Sequence, residues 1–449
     1  MRLTYRKMTD EDVKEICDWH YEGKYHVYDM PSFELMAYYQ VGLMDPKERD
    51  NYYVYFDGNQ FIGFTSVEMR KNKLYVAIDV HPDFLNQGYG QEMLYLIDEL
   101  YDYESLYLEV RTWNDRARAC YEKAGFEIVG KPYLRIIENK PVIFHEMRKM
   151  KLKIPELVKQ RALSLGELGE QWLKNIHSIV NVLKTKWDIS IEEVIDGGSH
   201  ALVCLVDMDK TLKIEIPDHS EKSFMASIKA LRLAKGNGYV CLYEYDLENR
   251  AVLLERLGKP LSKLNYTVES QLQLLTSALK QTWDMPLERT HLNSGLESID
   301  WFESYVHERK EKLDILVFNR FNEYLEFIKK DIDESDFVLV HGDGHNNNLL
   351  ENCLGEFKFI DPDGMYFEKA YDLGVLMREY IDEYLENPLD LGIKRSQLLS
   401  ELCDVDEKRI FMWGYLHMVA TALILLDMKQ DELANKMLYI ALNWAKRNS

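Results

Sequence analysis

The sequence predicts two successive domains of mixed structure, the first α/β and the second α+β. The chain of 449 residues is long enough for two or three separate cores. In the first third, strand-like apolar runs alternate with helical segments, and a glycine-bearing loop joins one strand to one helix. Further along, two short apolar runs each lead into an aspartate-bearing loop. These patterns place one candidate site in each domain.

The first predicted elements are a helix and a hairpin. Thr9-Asp10-Glu11-Asp12 is typical of a helix N-terminus, and the runs 52–56 and 61–67 flank an Asp57-Gly58-Asn59 turn. Between them lie several aromatic residues, which either line an acceptor pocket or pack in the core. They are Trp19, Tyr21, Tyr25 and Tyr28.

The run Leu74–Val80 leads into a loop with Gly88 and Gly90, and then into a predicted helix. A helix start presents unpaired N–H groups and a partial positive charge, which suit a pyrophosphate. Glycines let the backbone approach such a ligand closely, although a purely structural turn is the alternative. The candidate cofactor-binding residues here are Val80, Gln87, Gly88, Gly90 and Gln91.

A second strand, Leu106–Arg111, is followed by a helical segment with Asn114 and Tyr121. With the preceding motif, residues 1 to about 148 resemble the GNAT N-acetyltransferase superfamily. The resemblance implies that acetyl-CoA binds the first motif, with Asn114 as a further cofactor-binding residue. It also implies that Tyr121 is catalytic and protonates the leaving thiolate; a core aromatic is the alternative. Leu85 stands where the family usually has Arg or Gln, so we expect weaker cofactor binding.

The segment 341–348, His-Gly-Asp-Gly-His-Asn-Asn-Asn, follows one short strand, and Asp361 ends another. Phosphoryl transfer needs a carboxylate that orients the acceptor hydroxyl and accepts its proton, with oxygen ligands that hold Mg²⁺. Asp343 is therefore the catalytic candidate, and Asn348 and Asp361 are the candidate metal ligands. Gly, Asn and Asp are also ordinary turn formers, which is the alternative for each residue taken alone.

Together with Tyr371-Asp372-Leu373, this segment resembles the aminoglycoside phosphotransferase family. Residues 165–173 and 186–189 narrow the resemblance to the streptomycin and hydroxyurea phosphotransferases. It covers roughly residues 155 to 445 and implies a two-lobed, protein-kinase-like domain that uses ATP or GTP. The implied roles are Lys213 on the nucleotide phosphates, Glu255 and Leu257 at the adenine hinge, Gly197, Gly198 and Ser199 in a nucleotide-positioning loop, and His341 and Asp372 as braces. Asp363 lies nearby, and we expect it to be an ordinary turn residue.

One position departs from this family. Ser227 stands where we expect the helix glutamate that pairs with the ATP lysine and holds it on the phosphates. Glu221 is an alternative partner, although it lies more than one helical turn away.

The composition favours a small cationic substrate. Fifty-five Lys and Arg against seventy-six Asp and Glu give a net charge of −21, which argues against nucleic acid and against an anionic membrane surface. The six cysteines show no C-x-x-C spacing, which predicts reduced thiols. The apolar run 411–426 is short for a membrane span and contains His417. We therefore expect a cytoplasmic protein; its oligomeric state stays open.

We expect a GNAT domain over residues 1–150 and a kinase-like domain over 151–449, with an N-lobe at about 187–257 and a helical C-lobe at about 258–449. The leading hypothesis is a bifunctional enzyme that acetylates amines and phosphorylates hydroxyls of antibiotics or secondary metabolites. One alternative is a metabolic sugar or amino-alcohol kinase fused to an unrelated acetyltransferase. The other is a binding module with one silent domain.

Overall fold

The computed structural model describes residues 3–137, 140–217, 220–285 and 287–447. The chain divides into two compact units. The first comprises the chain up to Ile154 together with Leu173–Ile189, and the second comprises Pro155–Trp172 and the chain from Ser190 onward. The domain boundary expected between residues 150 and 151 stays a prediction.

The first unit contains a seven-stranded sheet in the order β1-β2-β3-β4-β5-β7-β6. Its elements are β1 Thr4–Lys7, α1 Asp10–Cys17, α2 Phe33–Tyr39, β2 Tyr52–Asp57, β3 Gln60–Arg70, β4 Lys73–Val80, α3 Tyr89–Leu100, β5 Ser105–Arg111, α4 Asp115–Lys123, β6 Glu127–Ile137 and β7 Lys140–Met150. The β2–β3 hairpin and the start of α1, with its Thr9 capping box, form where the sequence predicts them.

Alternation of apolar residues explains how this sheet buries its faces. In β5, Leu106, Leu108 and Val110 are buried while the residues between them are partly exposed, as expected for side chains that point to opposite faces. Met93, Leu94 and Ile97 of α3 are fully buried. A helix with one apolar stripe thereby covers the sheet.

Strands β4 and β5 run parallel, whereas the other neighbouring strands are antiparallel. Within the described ranges their ladder consists of two pairs, Leu74 with Leu106 and Tyr75 with Tyr107, both near the strand starts. Toward their C-terminal ends the two strands therefore separate and leave a gap in the sheet.

Helices α5, Glu156–Ser164, and α6, Glu167–Trp187, follow the sheet. Residues from Leu173 onward in α6 belong to the first unit. Lys184 forms an ion pair with Glu127, and Asn181 packs beside Gly125. The sequence resemblance assigns this helix to the kinase-like domain, but its C-terminal part packs with the first unit.

The second unit begins with a five-stranded antiparallel sheet in the order β11-β12-β10-β9-β8. Its elements are β8 Ile191–Ile195, β9 Ala201–Val206, β10 Lys210–Glu215, α7 Glu221–Ala234, β11 Leu242–Asp246 and β12 Ala251–Glu255. A largely helical part follows. It contains α8 Val268–Trp283, β13 Asn293–Ser294, α9 Gly295–His307, α10 Ile315–Asp331, β14 Val338–Val340, β15 Leu349–Glu351, β16 Phe357–Phe359, β17 Met365–Phe367, α11 Lys369–Met377, α12 Pro388–Cys403, α13 Glu407–Asp427 and α14 Asp431–Trp444.

Helix α13 is, among the described residues, the one helix long and apolar enough to pass for a membrane span by length and composition. It has 21 residues and is longer than the apolar run seen in the sequence. In its most apolar window 67% is buried, and Trp413, Tyr415 and Leu416 are fully enclosed. These features identify α13 as a core helix of the second unit.

Candidate active sites

Two short strands deliver the aspartates of the second unit to adjacent loops. β14 ends at Val340, just before the loop with Asp343, and β16 ends just before Asp361. The Ile360 N–H donates to the Asn348 carbonyl at 2.9 Å, and the Asp363 N–H donates to the His341 carbonyl at 2.9 Å. These two backbone bonds hold the loops 341–348 and 360–363 side by side.

His341 and Asp372 are buried and brace the first loop, as the resemblance implies. The Asp372 carboxylate accepts the N–H groups of His341 at 3.0 Å and Gly342 at 2.9 Å, and the Trp283 indole N–H at 2.9 Å. Burial lowers the pKa of His341 to about 4, so its ring is neutral near pH 7. Its Nε2–H then donates to the Ile360 carbonyl at 2.9 Å, while Nδ1 accepts the Asp343 N–H at 3.2 Å.

The Asp343 side chain lies in reach of solvent, with 42% of its surface exposed. Arg378 donates to its Oδ1, and His345 Nε2 lies 3.4 Å from its Oδ2. Surrounding protein would raise the pKa of this carboxyl, but the hydrogen bond from His345 and the Arg378 charge outweigh that effect and hold the pKa well below its usual range. The Asp343 carboxyl is therefore ionised near pH 7 and can orient a hydroxyl group.

Lys213 of β10 reaches the second loop. Its Nζ donates to Asp361 Oδ1 at 2.6 Å and lies 3.5 Å from Glu215 Oε1. Burial opposes the charge, but these two carboxylates raise the pKa of Lys213 above its usual value. The candidate phosphate-binding lysine and the candidate metal-binding aspartate are thus in direct contact.

Asn348 and Asp361 have the donor chemistry of a magnesium site. The Asn348 Nδ2 donates to the Asp343 carbonyl at 3.0 Å, which leaves Oδ1 as the atom that can bind a cation. Asp361 is 42% exposed and adopts a left-handed conformation, φ +56°, at the loop start. Over the described ranges, no three His, Cys, Asp or Glu side chains converge as a ready-made metal site. One amide and one carboxylate fit a Mg²⁺ ion whose remaining ligands are nucleotide oxygens and water.

The remaining nucleotide-binding candidates lie in the five-stranded sheet and at its exit. Gly197, Gly198 and Ser199 join β8 to β9, and Gly198 has a φ of +103°, which favours glycine. Glu255 ends β12, and its carboxylate accepts Lys358 Nζ at 2.7 Å, so that side chain serves structure. Leu257 is partly buried against the main core.

The loop 360–364, which carries the candidate metal ligand Asp361 and is called the metal loop below, packs tightly on helix α7. Gly364 has a φ of +62°, and a Cβ placed there would collide with the Ala226 carbonyl and lie 2.7 Å from the Ser227 nitrogen. Only glycine permits this close approach of two backbones. Ser227 therefore lies beside the loop that carries Asp361, but it has no carboxylate to offer Lys213.

In the first unit, a cavity of about 520 Å³ lies at the gap between β4 and β5. Most of the predicted cofactor-binding residues line it, namely Val80, Gly88, Gly90, Gln91 and Asn114, and so does Leu85. Gln87 is not among its lining residues; its amide donates to the Asp83 carbonyl at 3.0 Å. Gly88 precedes α3 with a φ of +89°, so the N-terminus of α3 opens at this cavity.

Tyr121 and Asn114 both line the cavity. Burial raises the pKa of Tyr121, which keeps its hydroxyl protonated and able to donate. Asn114 caps α4 by accepting the Ala117 N–H at 3.1 Å, and its Nδ2 donates to the Tyr28 hydroxyl at 2.9 Å. The asparagine thus fixes both the helix start and a tyrosine of the wall.

Comparison with known families agrees with this geometry. The model of the aminoglycoside/hydroxyurea antibiotic resistance kinases matches residues 190–428, more than half of the chain. The chain belongs to this kinase family. The model of the GNAT acetyltransferase family matches residues 13–126, so the kinase is preceded by a GNAT acetyltransferase domain. Both families are transferases, and the predicted fold class is confirmed.

Individual relatives are distant. The chain is 24% identical to a streptomycin 6-kinase from Streptomyces glaucescens over 282 residues, which cover 61% of this chain and 90% of that protein. Choline kinase LicA from Streptococcus pneumoniae shares 13% identity at a TM-score of 0.43, over 61% of this chain and 98% of that one. A spermidine N-acetyltransferase SpeG chimera from Vibrio cholerae and hSSAT shares 23% identity at a TM-score of 0.27, over 33% and 96%. At these scores, the two superpositions identify neither fold nor function.

Two residues of the candidate kinase site in this chain were not singled out in the sequence analysis. Arg378 contacts Asp343, but the two residues lie too far apart in the sequence for one local motif to include both. Glu215 could have been found, because residues two apart on a strand share a face and Lys213 was already a candidate.

The third missed residue, Asp79, belongs to the acetyltransferase domain. It lines the cavity, and burial raises its pKa to about 6. Within the described part of the chain its carboxylate makes no ion pair or side-chain hydrogen bond, and Tyr21 and Tyr28 line the small pocket beside it. The signal was present in the sequence, because a lone carboxylate in the apolar strand 74–80 is unusual without a function.

Proposed function

We propose that this protein is a bifunctional enzyme that transfers acetyl from acetyl-CoA to an amine and the γ-phosphoryl group of ATP to a hydroxyl. The observation that supports it most directly is the contact of Lys213 with Asp361, beside the loop that presents Asp343. These are the three charged side chains that phosphoryl transfer uses, and the fold brings them together from distant parts of the sequence.

In the kinase, Asp343 orients the acceptor hydroxyl. As the oxygen attacks the γ-phosphorus, the hydroxyl proton passes to the Asp343 carboxylate, the bond to the β,γ-bridging oxygen breaks, and ADP leaves. Lys213 holds the phosphates, and Asn348 and Asp361 would hold Mg²⁺, which neutralises phosphate charge when bound. Either ATP or GTP fits these residues, and ATP is the donor we propose.

In the acetyltransferase, the acceptor amine attacks the thioester carbonyl directly. The amine gives up a proton, and Asp79 is the carboxylate of the cavity that is free to accept it. The C–S bond breaks, and the Tyr121 hydroxyl donates a proton to the coenzyme A thiolate. Gly88, Gly90 and the α3 N-terminus bind the pyrophosphate through backbone N–H groups.

Charge indicates the class of acceptor. The net charge of −21 attracts cations, and the cavity of the first unit contains the unpaired Asp79 next to tyrosine side chains. We propose a small cationic substrate and, as the role, inactivation of antibiotics or secondary metabolites. The name of the streptomycin 6-kinase relative is consistent with such a role. All six cysteines are free, which supports a cytoplasmic location.

Mass spectrometry of an acceptor library tests this function. The library contains aminoglycosides, peptide antibiotics, polyamines, sugars and amino alcohols, incubated separately with acetyl-CoA and with ATP and Mg²⁺. We expect cationic members to gain one acetyl group in the first reaction and one phosphoryl group in the second. Phosphorylation of neutral sugars alone would instead support a metabolic kinase. No mass gain in either reaction would contradict the proposal.

A further inference from the structure

We propose that Glu215 positions the ATP lysine in this kinase and replaces the helix glutamate that the chain lacks. The inference rests on the proposed phosphotransferase function. It concerns how Lys213 is held once a nucleotide is bound.

The geometry of β10 places the two side chains together. Lys213 and Glu215 are two residues apart on one strand, so both point to the same face of the sheet. Glu215 Oε1 lies 3.5 Å from Lys213 Nζ, and both side chains are largely buried, at 16% and 17% exposure. At this depth an ion pair is less screened than one on the surface.

Glu215 is itself held in place. Arg250 NH2 lies 3.4 Å from Glu215 Oε2, and the Glu215 N–H donates to the Arg250 carbonyl at 3.0 Å. The Arg250 guanidinium lies over the Phe224 ring of α7, 5.1 Å from its centre. The carboxylate is therefore fixed between two cations, one from its own strand and one from the turn before β12.

Helix α7 does not supply an alternative carboxylate. Ser227, the expected glutamate position, packs its backbone against Gly364. Glu221 lies exposed in the first turn of α7. In the described part of the chain, the ion-pair partners of Lys213 are Asp361 and Glu215.

Metal binding makes the role of Glu215 specific. When Asp361 binds a cation, as the proposed function requires, Glu215 is the carboxylate left to hold Lys213. β10 lies between β9 and β12 in the sheet, so the pair does not depend on the placement of a helix. Kinases that pair the lysine with a helix glutamate lose the pair when the helix moves. This chain keeps it, which favours an enzyme that is active without a regulatory helix movement.

Four variants test the role: Glu215→Gln, Glu215→Asp, Lys213→Ala, and Lys213→Ala combined with Glu215→Gln. The readout is the ATP concentration dependence of ADP formation with Mg²⁺, which needs no known acceptor. For Glu215→Gln we expect kcat/KM for ATP to fall by about 10- to 100-fold, because the lysine is no longer held on the phosphates. Glu215→Asp should recover part of that loss. Added to Lys213→Ala, the Gln substitution should cost nothing further, because the two residues act as a unit.

Glu221→Gln is the matched control, because it removes a carboxylate from the same lobe at an exposed position, and it should stay within about twofold of wild type. Wild-type rates for Glu215→Gln alongside a strong loss in Lys213→Ala would overturn the positioning role. The positioning role would also be overturned if the loss of kcat/KM in the double variant equalled the product of the two single losses. If Lys213→Ala itself turns over ATP like wild type, the kinase function fails, and not only the role of Glu215.

Discussion

At the scale of single residues, the pKa values of two aspartates of this chain are shifted in opposite directions. Asp343 sits between Arg378 and His345, and its pKa lies well below the usual range. Asp79 is partly buried and has no counter-charge among the described residues, and the surrounding protein raises its pKa to about 6. The partner, and not the residue type, sets the ionisation of each carboxyl. The two activities should therefore respond differently to pH.

The first prediction concerns Asp79 and the pH dependence of acetyl transfer. A raised pKa means that the proton-accepting carboxylate forms as the pH rises through about 6, so kcat/KM should increase across that range and then level off. Asp79→Asn should remove this limb and lower the plateau by about 100-fold. Steady-state rates from pH 4.5 to 8 check it.

The control for Asp79→Asn is Asp102→Asn, because the Asp102 side chain is 88% exposed in the same unit. It should retain both the limb and the rate. A limb near pH 6 that persists in Asp79→Asn would assign the titration to another group.

The local motifs made the residues of the candidate kinase site predictable. Asp343, Asn348 and Asp361 lie close to one another in sequence, and the backbone bonds between their loops keep them close in space. The contact of Lys213 with Asp361 spans 148 positions, so composition and spacing could not measure it. The family resemblance gave Lys213 and Asp361 separate roles, and the helix glutamate that it implies as the partner of the lysine is replaced by Ser227.

At the scale of elements, the packing of helix α7 on the metal loop depends on one glycine. Gly364→Ala should destabilise the second unit, because the new Cβ would collide with the Ala226 carbonyl in addition to the left-handed φ of +62°. We expect a loss of about 2 to 4 kcal/mol in the free energy of unfolding. Denaturant titration of the full chain measures it, with phosphoryl transfer as a second readout.

Gly355→Ala separates the collision from the backbone strain. Gly355 has a φ of +82° in the β15–β16 turn, but the nearest atom to an added Cβ is Glu351 Oε1 at 3.9 Å. This variant should lose only about 1 to 2 kcal/mol. Equal losses for the two substitutions would show that the close approach of α7 contributes nothing.

Strands were the most predictable elements, because alternation and turn chemistry are local properties. The β2–β3 hairpin and both strands that lead to the kinase aspartates form as predicted. The placement of α6 was not predictable. Its amphipathic pattern shows that one face is buried but does not identify the surface that buries it.

At the scale of the whole molecule, the two candidate sites draw on separate sets of residues, each within one compact unit. Asp343→Ala should therefore abolish phosphoryl transfer and leave acetyl transfer unchanged. Tyr121→Phe should slow acetyl transfer by about 10-fold or more and leave phosphoryl transfer unchanged. Parallel mass-spectrometric assays of both variants check this, and loss of both activities from either substitution would show that the sites are coupled.

The presence of two domains could be predicted from length and from two unrelated motifs. The division of the chain between them could not. Leu173–Ile189 packs with the first unit although the preceding Pro155–Trp172 packs with the second. Sequence order alone does not reveal which core a connecting helix joins, because that depends on buried contacts made at a distance.

Because part of α6 packs with the first unit, the buried Lys149 restricts where the gene can be divided in evolution. Its ammonium pairs with Asp98 at 2.6 Å and is 2% exposed, beneath the segment of α6 that carries His177 and Asn181. A gene shortened after β7 would encode a charged lysine whose cover is missing, and an apolar helix face without a counterpart. Recombination that separates the two halves at that point would yield poorly folded products. Inheritance should therefore preserve the fusion as one reading frame.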